Sequence, residues 1–258
     1  MVWFGKTIVM RGYRLSVKDK GGEDELRAPA TEPDNAAELD DLTVNILSRL
    51  CHAGLLPASA PVFPADRFRE LDALVREGFD VPHTTMTALA RRVLFGIAAT
   101  ARPATIVVLG SFVGYAAVWL FGPALLREPL FRTASLIACD VFEPAVTQAR
   151  KNFSVFGVGA VDLRVQDAAQ LLEEFSGLID MLYIDVDSEE TGKRMYADLL
   201  RIAITRLAPG ALVLAHDVTH PFYIKDVADY QKMVRDRRLF RMTATLEIDP
   251  CGLEVTLV

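Results

Sequence analysis

Apolar positions fall into two regimes along this 258-residue chain, with the change near Val81. From there on, short β-branched runs alternate with longer stretches of helical spacing. The runs predict strands at 104–109, 135–140, 161–165, 179–184, 211–215, 240–248 and 253–258. The stretches between predict helices at 85–100, 114–126, 144–156, 169–175, 190–207 and 224–235. Strands alternating with helices imply right-handed βαβ units and a parallel sheet covered on both faces. The last two runs, joined by Asp249-Pro-Cys-Gly252, imply an antiparallel hairpin at its edge. The fold class expected is therefore α/β, with a doubly wound, mostly parallel, seven-stranded sheet.

Before Val81 the pattern is irregular. Tyr13, Leu15 and Val17 alternate with Arg14 and Ser16, which suggests a short edge strand or an extended arm. Residues 18–39 are dense in charge, Gly and Pro, the composition of a mobile linker. Two amphipathic helices are expected next. One carries Leu42, Val44, Ile46, Leu47 and Leu50; the other, at 66–79, carries Phe68, Leu71, Leu74 and Val75. A proline-rich stretch, 56–64, separates them. The expected division is a helical appendage with its arm and linker at 1–80, and a ligand-binding domain at 81–258. The apolar faces of the appendage suggest a lid over a pocket, a homodimer contact, or both.

Composition narrows the function classes. Half the residues are hydrophobic, so a large core can be buried. A net charge of −6 and a pI near 5.3 leave no basic footprint for nucleic acid or an anionic membrane surface. Cys51, Cys139 and Cys251 lie far apart, without metal-type spacing, and fit a reducing cytoplasm. The start has no secretory signal pattern. The most apolar windows, 86–100 and 114–126, are interrupted by Arg91-Arg92 and Gly122-Pro123, so neither is expected to span a bilayer.

The candidate chemistry centres on Thr105-Ile-Val-Val-Leu-Gly-Ser-Phe-Val-Gly-Tyr-Ala116. It reads as strand, glycine turn, helix, and such a turn lets backbone approach a ligand closely. The next strand ends in Asp140, a carboxylate placed to accept hydrogen bonds from a ribose diol. Together they point to a nucleoside-containing cofactor at the carboxyl ends of the sheet. The dinucleotide fingerprint G-x-G-x-x-G is absent, because Ser111, Phe112 and Val113 fill the loop between Gly110 and Gly114.

In this order, the residues of 82–258 resemble the class I S-adenosylmethionine-dependent methyltransferases, and within them the small-molecule O-methyltransferase branch. The resemblance rests on the glycine loop Val107–Tyr115, on Asp140, on Gln166-Asp167-Ala168, on Tyr183-Ile-Asp-Val-Asp187 and on Leu207–Asp217. It implies a Rossmann-like methyltransferase fold and S-adenosyl-L-methionine as cofactor. Gly110, Ser111, Phe112, Gly114 and Tyr115 would lie under the methionine part and Asp140 on the ribose. Asp167 and Ala168 would lie near the adenine, and Asp185 would face the reacting centre. Phe142 is placed by position to stack on the adenine.

Three departures accompany the resemblance. Val108 stands where the family usually carries an acid that orders the cofactor's amino end. The metal-dependent members show Asp-Asn after strand five, where this chain has His216-Asp217. Their lysine three residues after the first aspartate is replaced by Ser188. A Mg²⁺-type divalent cation on Asp185 and Asp217 is nonetheless a candidate. The catalytic candidates are His216 as general base near neutral pH, with Asp217 and Asp185. Asp187 and His220 are alternates, His83 a structural or substrate contact, and His52 an exposed residue. Trp119 is expected in the core. The resulting expectation is a cytoplasmic enzyme of secondary metabolism that O-methylates a small, natural-product-like molecule. A member repurposed for carbon or nitrogen methylation or non-methylating chemistry, or a non-catalytic cofactor-binding subunit, stands as the alternative.

Overall fold

The computed structural model describes residues 8–10, 13–15, 35–58, 60–82, 86–188 and 190–258. His83 and the linker stretch 18–34 lie outside them. Strands β1 (Ile8–Met10) and β2 (Tyr13–Leu15) pair antiparallel as a ribbon of their own, so β2 is no edge strand of the main sheet. Helix α1 (Ala36–His52) begins inside the stretch expected to be linker. The Asn35 side chain starts it by accepting a hydrogen bond from the Ala37 N–H at 3.0 Å. Helices α2 (Ala65–Gly78) and α3 (Ala88–Ala101) follow.

The alternating part then runs β3 (Thr105–Leu109), α4 (Tyr115–Leu125), β4 (Ser135–Asp140), α5 (Glu143–Phe153), β5 (Asp162–Val165), α6 (Ala168–Glu174) and β6 (Ile179–Ile184). It closes with α7 (Tyr196–Ala203), β7 (Leu207–His216), α8 (Ala228–Val234), β8 (Met242–Leu246) and β9 (Leu253–Leu257). The main sheet has seven strands in the order β5-β4-β3-β6-β7-β9-β8. Strands β5 to β7 pair parallel, while β9 is antiparallel to both β7 and β8.

Strand β3 shows why the sheet is buried on both sides. Ile106 and Val108 face one core, Val107 and Leu109 the other, and all four are inaccessible to solvent. The first core holds α1 to α5; the second holds α6, α7 and α8. Leu39, Leu42, Ile46, Leu47 and Leu50 of α1 and Phe68, Leu71 and Val75 of α2 belong to the first core. These apolar faces, on which the homodimer expectation rested, are therefore covered within the chain. Arg92 of α3, 8% exposed, binds Asp40 of α1 at 2.8 Å and lies over the Phe68 ring, which ties the three helices together.

Two other expectations shift. The helix expected at 190–207 forms only over Tyr196–Ala203, because 190–195 fold as turns. The turn expected at Pro209-Gly210 lies inside β7, where the pairing with β6 changes register between Ile179 and Met181.

Succession reverses direction at β3. The chain proceeds outward through β4 and β5, then returns to the other side of β3 with β6 and β7. Such a switch point opens a crevice at the carboxyl ends of the strands, the place where open α/β sheets bind ligands.

Candidate functional site

The crevice is built first from the turn after β3. Gly110 and Gly114 have φ of +81° and +87°, which glycine adopts without steric penalty. The N–H groups of Gly110 and Ser111 both donate to the Cys139 carbonyl, at 3.0 and 2.9 Å. A Cβ on Gly110 would lie 2.1 Å from the Asp185 carbonyl oxygen. Only a residue without a side chain lets the ends of β3 and β6 approach this closely. The Asp140 carboxylate fastens the turn from the other side, accepting from Phe112 N at 2.8 Å and Phe142 N at 2.9 Å. Both phenyl rings are about half exposed beside it.

These residues open onto a cleft of about 160 Å³, lined by Met86, Gly110, Ser111, Phe112, Tyr115, Ala116, Asp185, His216 and Asp217. Phe112 and Asp217 also have positive φ, +45° and +63°. Non-glycine residues in that region carry backbone strain of order ~1–3 kcal/mol and concentrate at functional sites. The Ser111 hydroxyl is buried and has no hydrogen-bond partner among the described residues, so the cradle holds an unused polar group there. A more open hollow of about 440 Å³ lies at the amino ends of β4 and β5. Its Asp162, Arg164 and Glu174 already bind side-chain partners, and the switch-point argument favours the smaller cleft.

At the cleft's inner end, Asp185 after β6 meets His216 and Asp217 at the end of β7. The structure thus brings the three catalytic candidates together. It adds Lys193, which the sequence reading missed. Lys193 is 2% exposed, and its Nζ lies 2.8 Å from Asp185 Oδ1, 2.7 Å from Asp217 Oδ2 and 2.9 Å from the Tyr196 hydroxyl. An ammonium has three N–H donors, and each meets an acceptor. Asp249, also missed, accepts from the Cys251 and Gly252 N–H groups and sits 2.9 Å from His216 Nε2. His216 Nδ1 lies 3.3 Å from Asp185 Oδ2 and 3.4 Å from Asp217 Oδ1.

The charge states follow from these contacts. Burial alone would lower the Lys193 pKa, but Asp185 and Asp217 outweigh it and hold the ammonium above its usual range. Burial would likewise lower that of His216; Asp185 and then Asp249 drive it well above an ordinary histidine. Burial works to raise the Asp185 carboxyl, yet Lys193 and His216 hold it below the carboxylate range. The general-base reading of His216 is therefore corrected. Its two ring nitrogens face carboxylates on both sides, which favours the charged imidazolium, a form with no lone pair to take a proton.

The cation reading of Asp185 and Asp217 fails a similar test. All four of their carboxylate oxygens face Lys193 or His216. A divalent ion would have to displace the ammonium and compete for an imidazole whose two nitrogens already face carboxylates, which favour its protonated, non-ligating form. The residues as arranged do not fit a metal.

The remaining candidates separate. Asp167 is the N-cap of α6, one carboxylate oxygen accepting from Ala169 N and Gln170 N, and Ala168 is buried behind it. Replacing Asp167 with Ala should cost about 1 kcal/mol, a melting shift of roughly 2–4 °C by calorimetry. Asp187 accepts from the Tyr223 hydroxyl at 2.7 Å and stays outside the cluster. His220 packs on Tyr223, with Nδ1 accepting from Phe222 N. Tyr115 stands edge-on to Trp119, which is fully buried, and His52 is exposed on α1. Val108 lies wholly in the first core, so no acid stands at that position.

Comparison with known proteins agrees with this geometry. Residues 107–218, from β3 to just past β7, match the family model of a methyltransferase domain. A catechol O-methyltransferase of Niastella koreensis is 27% identical over 140 residues, which cover 52% of this chain and 58% of that protein. The chain thus aligns with less than two thirds of the relative's length. Among solved structures, a methyltransferase of Podospora anserina bound to S-adenosylhomocysteine superposes with a TM-score of 0.56 at 15% identity, covering 89% of this chain and 98% of its own. The O-methyltransferase TomG of Streptomyces achromogenes, in complex with S-adenosylmethionine, gives a TM-score of 0.52 at 18% identity, covering 85% and 98%. No helix among the described residues is long and apolar enough to cross a membrane. The matched segment is thus similar to a methyltransferase domain, and the strand order and superpositions show the Rossmann-like fold of the methyltransferases.

Proposed function

We propose that this chain transfers a methyl group from S-adenosylmethionine to a hydroxyl of a small, natural-product-like acceptor. One observation carries the reading: a single cleft joins the Asp140-fastened glycine turn to the charged cluster of Asp185 and Asp217. When bound, S-adenosylmethionine supplies a methyl group already activated on a sulfonium. The protein has only to hold, align and take up a proton.

Asp140 would accept hydrogen bonds from the ribose hydroxyls while keeping its backbone partners, Phe112 N and Phe142 N. Phe142, with its ring exposed, would stack on the adenine, with Asp167 and Ala168 near its amino group. Gly110, Ser111, Phe112, Gly114 and Tyr115 would hold the methionine part, where the Ser111 hydroxyl could find a partner. Three carboxylates, Asp185, Asp217 and Asp249, against two cations, Lys193 and His216, leave the cluster one net negative charge. A negative wall favours a positively charged sulfonium nearby.

Asp217, on the cleft surface, accepts a hydrogen bond from the acceptor hydroxyl. It would take up the hydroxyl proton if the methyl group passed from the sulfonium to that oxygen, a transfer that would leave a neutral thioether. Alignment of this kind is worth at most ~7–11 kcal/mol, and the positioned base adds ~10²–10⁴ in rate. Lys193 and His216 fix the carboxylates in place.

Isothermal titration with S-adenosylmethionine and its demethylated product, followed by mass spectrometry of a panel of phenols and alcohols, tests the reading. Expected are saturable binding of both and an acceptor heavier by one methylene unit. Absence of binding would remove the cofactor from the proposal. Binding with products of any other mass would remove methyl transfer.

A further inference from the structure

We propose that Lys193 occupies the place a divalent cation would take between Asp185 and Asp217, so that this site works around a built-in ammonium. The inference rests on the methyl-transfer reading for its purpose, but its geometry is independent of it.

The lysine is installed by its surroundings. Residues 190–195 leave the expected helix and fold as turns, and this carries Lys193 inward from the start of α7. Arg194 anchors the same segment on Asp226 at 3.0 Å. The ammonium lies 5.2 Å from the Tyr196 ring centre and 5.1 Å from that of Tyr223, so aromatic faces flank it. Its three donors end on Asp185, Asp217 and Tyr196, and the Tyr196 hydroxyl passes its own hydrogen to the His216 carbonyl. The carboxylate oxygens that Lys193 leaves over face His216, which Asp249 holds from behind. The network is complete without a further cation.

An ammonium differs from a metal in what it offers the acceptor. It neutralises and orients the two carboxylates as a metal would, yet it has no open coordination position for an acceptor oxygen. The acceptor is then held as a hydrogen-bond donor to Asp217. Two adjacent oxygens, which chelation rewards, bring no advantage.

The test is Mn²⁺ binding to the full chain, followed by electron paramagnetic resonance and calorimetry after treatment with a chelator. Wild type should show no stoichiometric Mn²⁺ binding at this site, and its affinity for S-adenosylmethionine should be the same with and without chelator. Lys193→Met frees the two carboxylates and should bind Mn²⁺ at least ten-fold more tightly than wild type. Adding Asp217→Asn to that variant should remove the gain. One equivalent of Mn²⁺ bound by wild type and lost in Asp217→Asn would overturn the proposal. So would a folded Lys193→Met, by circular dichroism, that gains no Mn²⁺ binding. If Lys193→Met does not fold, the wild-type titration alone decides. Failure to bind S-adenosylmethionine would count against the methyl-transfer reading and leave the Mn²⁺ result standing.

Discussion

Replacing Asp140 with Ala should weaken S-adenosylmethionine binding by about 100-fold or more. The carboxylate ends β4, binds the backbone of the cleft-lining Phe112 and is only partly covered. Hydrogen bonds to a charged group are worth ~1.5–3 kcal/mol each. Losing two from a ribose diol removes at least ~3 kcal/mol, and every 1.4 kcal/mol is tenfold in affinity. The substitution also frees the Phe112 and Phe142 N–H groups, which Asp140 binds at 2.8 and 2.9 Å. Both residues are exposed, so water can take over those donors and the fold should survive. Calorimetric titration together with a thermal melt separates the two effects. Near-normal affinity in a folded variant would show that Asp140 serves only to fasten the turn.

The framework around Asp140 was legible because it depends on short-range signals. Strands β3, β4 and β6 are continuous apolar runs, and the glycine spacing marks the turn between β3 and α4. Asp140, Asp185 and Asp217 could be named because each ends a strand or directly follows one. Lys193 could not be found in this way. It stands eight residues beyond Asp185, in a segment whose composition reads as helix, and only the turns at 190–195 bring it inward. Asp249 lies 33 residues from His216 and looked like a hairpin connector; the antiparallel return of β9 beside β7 places it there. The charge state of His216 followed the same course. A histidine at a strand end suggests a base until its neighbours are known, and those neighbours come from three separate parts of the chain. The helices α1 and α2 were recognised from their periodicity, but a periodic apolar face does not say what covers it. Here α3 and α4 do, and none of the described residues among 35–80 lines the cleft.

Replacing Gly110 with Ala should destabilise the fold by roughly 3–5 kcal/mol, the range of severe single substitutions. Two terms add. An L-residue at φ +81° pays about 1–2 kcal/mol for the left-handed backbone. The larger part comes from the new methyl group, which would lie 2.1 Å from the Asp185 carbonyl oxygen and 2.9 Å from the Val186 nitrogen. Those atoms are backbone at the end of β6, and Asp185 N donates back to the Leu109 carbonyl at 2.9 Å. No side-chain rotation can relieve the contact, so β3 and β6 must separate at the crevice. That movement would also carry Asp185 away from Lys193 and His216. A melting temperature lower by roughly 6–20 °C is expected, with loss of S-adenosylmethionine binding in whatever remains folded. Gly54 supplies the control: its φ is +76°, and an added Cβ would meet nothing within 4 Å. Gly54→Ala should therefore lose only the backbone term, about 1–2 kcal/mol, and bind cofactor normally. Equal destabilisation of the two variants would mean that the close approach of β3 and β6 is not what requires glycine at position 110.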